Sequence, residues 1–449
     1  MRISAHTLGC KLNNAETSTI LGQFRELGWE IGNPEDSDFF LLNTCTVTEN
    51  AERECRQLVR RVMRKNPNAF VAITGCYAQL RPEEIASIDG VDVVFGTKEK
   101  FDILRYVTNF EKLDEPHIFS SPIEEATDYH LAATGNTDER TRAFLKVQDG
   151  CDYNCSFCTI PLARGESRSG AIEEILSEAR RLSSEGFREI VLSGVNVGDF
   201  GRKTGSSFLE LISALEADGD VTARMRVSSI EPNLLTDEII SLVASSKKFC
   251  PHFHVPLQSG SARILRLMQR RYTKDIYRSR IERIKEMMPD AGIGADVIVG
   301  FPGETDEDFA ESYEFIHSLD ISYLHVFTYS ERPLTKAAAM EGRIAIQKRK
   351  ERNAMLRILS EKKKQAFYRS QIGKEGTVLV ERSPLCGGRN NSREGFTENY
   401  VRVCLQEPLS ETAELIRVLY IASEIEAVLA KPLEVISHRD ELSLLPILQ

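Results

Sequence analysis

The chain has 449 residues, 41% of them hydrophobic and 28% charged, and a formal net charge of −10. That length exceeds one ordinary core, so two to four domains are expected in a soluble globular protein. No apolar run is long enough to span a bilayer, which argues against a membrane partner. The first residues, MRISAHTLGC, lack the apolar stretch of a signal peptide, so a cytoplasmic protein is expected. In that compartment, the ten cysteines point to metal binding or catalysis rather than a disulfide framework.

The first 108 residues alternate strand and helix signals. RISAHTLGC reads as a strand and NAETSTILGQFRELG as a helix ending at Gly28. DFFLLNTC and AFVAITGC read as strands around a basic helix, AERECRQLVRRVMRK. RPEEIASI is a short helix and VDVVFGT a fourth strand. This β-α-β-α-β-α-β order predicts a doubly wound parallel sheet. Cys10, Cys45 and Cys76 each stand just past a strand's C-terminal end, where ligands bind in such sheets. A three-thiolate site assembled from distant positions is therefore expected, with Cys55 left inside a helix.

Residues 109–136 are acidic and poor in apolar residues, and read as a linker. From 137 to about 370, six further strand signals alternate with helical ones at 171–185, 207–217, 235–247, 273–288 and 304–319. The strands are AFLKVQDG, EIVLSGVNV, RMRVSSIEP, HFHVPLQSG, IGADVIVGFPG and YLHVFTYS. Six β/α units predict a partial barrel, with its active edge at the strand C-termini. That edge would gather Gly194, Asn196, Ser229, Glu231, Gln258, Ser259, Asp296, Glu304 and Ser330. A basic helical stretch covers 335–370. Residues 371–437 hold short alternating segments, GTVLVER, YVRVCL and IRVLYIA, expected to form a small all-β module before a tail at 438–449. The fold class is thus α/β, with a small β-module at the C-terminus.

Charge is segregated. Residues 263–285 hold nine Lys/Arg against Asp275 and Glu282, and residues 336–369 hold eleven against three Glu. Basic faces on an acidic chain can still meet a polyanion, because the field a partner feels is local.

KVQDGCDYNCSFCTIP places Cys151, Cys155 and Cys158 in a C-x3-C-x2-C pattern at the end of the first barrel strand. Thiolates select zinc, copper(I) or iron–sulfur clusters. Structural zinc sites and ordinary cubanes take four protein ligands. Three thiolates on a cubane leave one iron open for chemistry. On these residues alone, a non-catalytic zinc-binding RNA-binding protein and a two-cluster electron carrier remain alternatives.

The pattern, with Phe157 before its last cysteine, resembles the radical S-adenosylmethionine enzymes. Together with LGCKLNNAE, NTCTVTENAE, TGCYAQ, SSIEP, HVPLQSGS and DVIVGFPGET, nearly the whole chain is similar to their methylthiotransferase branch. LGCKLN and GFTENYVRV look most like the group that modifies threonylcarbamoyladenosine in tRNA. Sister groups act on isopentenyladenosine in tRNA or on an aspartate of a ribosomal protein.

The resemblance implies two 4Fe-4S clusters, one on Cys151, Cys155 and Cys158, and an auxiliary one on Cys10, Cys45 and Cys76. It implies S-adenosylmethionine as cofactor, cleaved to a deoxyadenosyl radical that abstracts hydrogen from C2 of the modified adenosine. Phe157, Gly194, Asn196, Ser229, Glu231 and Gln258 become candidate cofactor-binding residues. The partners implied are tRNA and an electron donor such as flavodoxin or ferredoxin. The 371–437 segment becomes a TRAM module, with Arg382, Arg389 and Arg402 as candidate RNA contacts, joined by Arg393, Phe396 and Tyr400. Arg164 and Arg168 are candidates for the cofactor carboxylate or a tRNA phosphate. His252 and His254 read as core histidines, and Cys250, Cys386 and Cys404 as structural.

Overall fold

The computed structural model of the protein describes residues 1–45, 49–135, 141–381, 393–405 and 415–436. Its first unit is a six-stranded parallel sheet. The spatial order is Glu30–Ile31, Arg2–Thr7, Phe39–Thr44, Phe70–Gly75, Val93–Phe95 and His117–Phe119. The two central strands, FFLLNT and FVAITG, are buried at every position, as a parallel sheet covered on both faces requires. Helices Lys11–Glu26 and Glu49–Lys65 connect the first strands.

The stretch 109–136 is not a detached linker. Phe110 enters an aromatic cluster, 4.9 Å from Trp29 and 5.2 Å from Phe39 between ring centroids. Lys112 pairs with buried Asp92 at 2.8 Å. His117–Phe119 then forms the sixth strand, and Ala132–Ala133 pairs antiparallel with the first barrel strand. Strands of two and three residues carry too little alternation to stand out in an acidic composition.

Six parallel strands form the second unit. Ala143–Lys146, Glu189–Ser193 and Arg224–Val227 make one arc; His252–His254, Gly292–Val299 and Tyr323–Thr328 make the other. Parallel bridges Met225–Phe249 and Ser229–His254 join the arcs into an open barrel. Helices Ile172–Ser184, Phe208–Ala217, Asp237–Ser245, Lys274–Met287 and Asp306–Ser318 cover the outside. The long helix Ile346–Gln371 packs Leu356 and Leu359 into the same core. Its basic run is partly internal: buried Arg352 pairs with Glu304 at 2.6 Å, and buried Arg349 with Glu331 at 2.6 Å.

The C-terminal module is a closed barrel in the order Glu375–Val380, Arg393–Thr397, Arg402–Leu405, Val428–Val435, Leu415–Ser423. Two of these strands have no counterpart among the sequence signals. One carries Gly395, whose backbone passes so close to its neighbour that a Cβ would lie 2.0 Å from the Leu379 carbonyl oxygen. The other carries Pro432 beside a register shift.

The module is docked on the larger barrel through guanidinium donors. Arg224 donates to the carbonyls of Thr377 (2.8 Å) and Phe396 (3.0 Å), and Arg226 to those of Thr397 (3.0 Å) and Glu398 (2.9 Å). Gly292 makes this approach possible, since a Cβ there would lie 2.1 Å from the Asn399 carbonyl oxygen. Gly292→Ala is therefore expected to cost about 1–3 kcal/mol in docking. Limited proteolysis of the variant should release the module sooner than in the wild type; unchanged cleavage would contradict this packing.

No described helix is long and apolar enough to cross a membrane.

Candidate functional site

The strand Ala143–Lys146 delivers the chain to a tight loop. Gly150 has φ +69°, and a Cβ there would lie 2.0 Å from the Glu166 carbonyl oxygen, so only glycine fits. Gln148 donates from Nε2 to the Gly150 carbonyl (2.8 Å) and to Ser167 Oγ (3.0 Å), and the Cys151 N–H reaches the Gly165 carbonyl at 3.0 Å. Ser156 anchors the loop on the carbonyls of Leu267 and Met268.

Within this loop each of the three cysteine sulfurs receives a donor. The Tyr153 N–H points to Cys151 Sγ at 3.4 Å and the Ile160 N–H to Cys158 Sγ at 3.4 Å. Arg270 Nη1 donates to Cys155 Sγ at 3.1 Å. Burial, reinforced by the neighbouring thiols, pushes Cys151 and Cys158 up to about 12. A metal bound there must displace those protons, and the three donors then stabilise the thiolates.

The N-terminal trio is built from strand ends. Gly9 (φ +105°) lets the chain pass Cys45, whose Sγ would lie 2.9 Å from a Cβ at that position. Gly75 (φ +99°) does the same against Thr44 and Asn43. Asn13 ties the strand ends together, donating to the Leu8 and Thr44 carbonyls at 3.0 Å each. Cys10 precedes helix Lys11–Glu26, and Cys76 opens the one-turn helix Cys76–Leu80. Burial raises the Cys76 thiol, an effect opposed by Arg164 and assisted by Cys10. All six cysteines are free thiols, and both trios have the soft donor set that an iron–sulfur cluster takes.

A buried ionic network joins the two trios. Arg164, in the helix that follows Cys158, contacts Glu16 Oε1 at 3.0 Å, Asp149 Oδ1 at 2.8 Å and Asn13 Oδ1. Lys100 meets Glu16 at 2.7 Å, Lys146 meets Glu16 at 3.4 Å, and Arg168 meets Asp149 at 3.3 Å. Burial alone would raise Glu16; the surrounding Arg164, Lys100 and Lys146 instead hold it well below the carboxylate range. Four cations face two carboxylates here, an excess of two positive charges between the two cysteine trios. Arg164 is thus fully engaged inside the protein, not free for cofactor or phosphate as its position in the sequence suggested.

The strand ends bring most of the remaining candidates to one edge. A Cβ on Gly194 would lie 2.9 Å from Gln148 Oε1, and the Asn196 N–H donates to that same oxygen at 3.0 Å. Asn196 Oδ1 accepts from the Glu231 N–H at 3.3 Å, while its Nδ2 is buried with no hydrogen-bond partner among the described residues. Glu231 pairs with Arg270, which connects it to Cys155. Ser229 Oγ meets His254 Nδ1 at 2.7 Å. Gln258 takes φ +63°, with its carbonyl accepting from the Ile298 N–H at 2.8 Å. Phe157 instead packs into an apolar cluster with Ile264, Met268 and Phe301. Glu304 is held by the Gly300 N–H (2.7 Å) and Arg352, and Gly300 is required by the close passage of Arg349.

Inside the barrel, His254 Nε2 lies 3.0 Å from Asp296 Oδ1, with the His325 ring 5.6 Å from that of His254. Lys11 is within electrostatic reach of Arg226, Arg142 and Glu189, and burial followed by those guanidiniums pushes it down to about 8. Arg270 and His325 were not legible as site residues, because they meet Cys155, Glu231 and His254 across long sequence separations.

In the C-terminal module, Arg402 is paired with Glu394 at 2.7 Å. Phe396 and Tyr400 stack at 4.7 Å, and Tyr400 stacks on His252 at 4.4 Å. These aromatics line the docking interface rather than an outer RNA-facing surface. Arg382, Arg389 and Cys386 lie outside the described residues.

Arg270 sets up a spectroscopic test. Arg270→Gln removes a cation and a hydrogen bond from Cys155 and leaves Glu231 unpaired. The reduction potential of a cluster held by Cys151, Cys155 and Cys158 should fall by on the order of 50–100 mV, read by a redox titration followed by electron paramagnetic resonance. An unshifted potential would show that Arg270 does not act on the cluster.

Comparison with known proteins agrees with this arrangement. Residues 145–316 match the radical SAM superfamily, and residues 2–96 match a family described as uncharacterized protein family UPF0004. The threonylcarbamoyladenosine tRNA methylthiotransferase MtaB of Bacillus subtilis is 37% identical over 418 residues, 93% of each chain. Its namesake from Aquifex aeolicus is 38% identical, across 93% of this chain and 100% of its own. A tRNA-2-methylthio-N(6)-dimethylallyladenosine synthase from Syntrophus aciditrophicus is 33% identical over 88% of this chain and 86% of its own. Among solved structures, the radical S-adenosylmethionine methyltransferase TsrM of Kitasatospora setae shares the fold, with a TM-score of 0.59, 13% identity and 75% of each chain covered. The chain therefore belongs to the radical S-adenosylmethionine tRNA methylthiotransferases.

Proposed function

We propose that this enzyme inserts a methylthio group at C2 of N6-threonylcarbamoyladenosine beside the anticodon of tRNA. The observation that carries the reading is the pair of three-cysteine sites joined by the buried Arg164 network. One site alone would suffice for generating a radical; a second, held close by, suits the storage of sulfur for transfer. The names of the most similar relatives support the choice of nucleoside.

In this reading Cys151, Cys155 and Cys158 hold the cluster that works with S-adenosylmethionine, and Cys10, Cys45 and Cys76 hold the auxiliary one. Bound there, these groups supply hydrogen abstraction at C2 and the sulfur that replaces it. The chain's own contribution is positional and electrostatic. Arg270 and the Tyr153 and Ile160 N–H groups neutralise thiolate charge at the first cluster. Arg164, Lys100 and Lys146 do so between the two. Asn196 offers its unpartnered Nδ2 at the cofactor edge, with Gly194, Ser229, Glu231 and Gln258 around it. A base next to the anticodon sits in a single-stranded loop and can be splayed out to reach this interior. Reduction comes from an external one-electron donor.

The test is a competition between two anticodon stem-loops, one with threonylcarbamoyladenosine and one with isopentenyladenosine. Preferential methylthiolation of the first is expected. Preference for the second would move the enzyme to the dimethylallyladenosine branch.

A further inference from the structure

The barrel interior contains a cation that the fold leaves without a counter-ion. Lys11 has no ion pair or hydrogen bond among the described residues. Lys11 lies deep among protein atoms, yet its side chain keeps solvent-accessible surface, and it is within electrostatic reach of barrel residues from several strands: Arg142, Glu189, Arg226, His252 and His325. It therefore projects from the N-terminal sheet into the solvent-filled interior of the barrel. Glu189 cannot serve as its partner, because Arg224 and Arg226 hold both its oxygens at 2.6–2.9 Å. Glu381 is bound to Arg142. The floor of the interior thus carries Lys11, Arg142, Arg224 and Arg226 against Glu189, Glu381 and Glu398, and Lys11 is the one of these cations with no hydrogen bond or ion pair to its side chain among the described residues.

The wall is ordered by strand alternation. Leu324 and Val326 point to the hydrophobic core, so Tyr323, His325 and Phe327 point inward. Tyr323 hydrogen-bonds His252 at 2.9 Å. His325 stands beside the Ser229–His254–Asp296 chain. Phe327 is left 42% exposed, an aromatic face with no ring or cation partner among the described residues. The interior therefore grades from positive charge, through hydrogen-bonding imidazoles, to a bare aromatic ring. A nucleobase bearing an anionic, hydroxylated substituent matches all three levels.

We infer that Lys11, with His254, Asp296 and His325, forms the specificity site for the N6 substituent of the target adenosine, Lys11 pairing with its carboxylate and the imidazoles meeting its hydroxyl. Phe327 is the stacking surface for the base. This assignment rests on the proposed threonylcarbamoyladenosine substrate and adds how the enzyme tells it from an isopentenyl one. An apolar substituent would leave the interior cation desolvated and unpaired, and a site built for a polar group rejects an analogue lacking it strongly. The atoms of His254, Asp296 and His325 also lie within 4.8 Å of one another, close enough for a divalent cation. The facing charge of Lys11 and the guanidiniums opposes that use.

The experiment compares kcat/KM on anticodon stem-loops that carry threonylcarbamoyladenosine, its threonine-amide analogue, or isopentenyladenosine. The wild type should favour the acid over the amide roughly 10- to 150-fold. Lys11→Gln should bring that ratio close to one, and Lys11→Arg should restore most of it. Because the ratio is taken within each variant, any loss of cluster beside Cys10 cancels. Equal rates on acid and amide in the wild type, or an unchanged ratio in Lys11→Gln, would overturn the assignment. So would stoichiometric zinc uptake that His325→Ala abolishes, which would make the cluster a cation site. Turnover of isopentenyladenosine RNA with none of the acid would defeat the substrate reading itself, and this inference with it.

Discussion

Replacing Cys10, Cys45 and Cys76 together by alanine should separate radical generation from sulfur transfer. Anaerobically purified wild type is expected to hold about eight irons and the variant about four. The variant should still form 5′-deoxyadenosine from S-adenosylmethionine and dithionite, while its methylthiolated product falls below detection. The physical ground is that the two trios stand on different elements: one on the ends of sheet strands, the other on a loop anchored by Gln148 and Ser156. Removing the exposed Cys10 thiol and the buried Cys45 and Cys76 thiols from the first leaves the anchors of the second in place. A wild type with about four irons, none of them lost in the variant, would remove the sulfur-bearing site from the account.

The second large effect is expected at Arg164. Arg164→Leu takes one guanidinium away from Glu16, Asp149 and Asn13 at once, all of them buried. Breaking a buried ion pair by removing one partner costs about 3–5 kcal/mol, because the other charge stays behind. Thermal unfolding should begin well below that of the wild type, and the N-terminal sheet should become the first part to exchange its amide hydrogens. Arg164→Lys should fall between the two, since an ammonium cannot reproduce the fork that meets three acceptors. Acid should mimic the lesion. Glu16 is held below its ordinary 4.5 in the folded protein, so its stabilising contribution is complete above that pH and is lost as the pH falls below it. Arg164→Leu with wild-type stability would mean that the network does not hold the two units together.

Much of this was legible in the sequence, for local reasons. The helices and long strands follow from hydrophobic period, and Cys151, Cys155 and Cys158 from spacing within eight residues. Cys10, Cys45 and Cys76 followed from one topological rule, that strand ends in a parallel sheet share an edge. What escaped depends on contacts between distant positions. Phe110 and Lys112 look like linker residues until Trp29, Phe39 and Asp92 are seen around them. Arg164 follows the cysteine loop in a stretch that reads as a ligand clamp, but its partners include Glu16 and Asn13, in the first helix. Phe396 and Tyr400 have the composition of an RNA-stacking surface, and only the docking of the module turns them toward His252, Arg142 and Arg226. Arg270 belongs to a basic run that reads as a face for a polyanion, yet it ends on Cys155.

The most direct test of the central claim uses an anticodon stem-loop carrying threonylcarbamoyladenosine with deuterium at C2. After reaction with the reduced, fully loaded enzyme, the nucleosides and the 5′-deoxyadenosine are analysed by mass spectrometry. The account predicts 2-methylthio-N6-threonylcarbamoyladenosine in the RNA and deuterium in the 5′-deoxyadenosine. Deuterium retained at C2, with 5′-deoxyadenosine formed but no methylthiolated nucleoside, would contradict it.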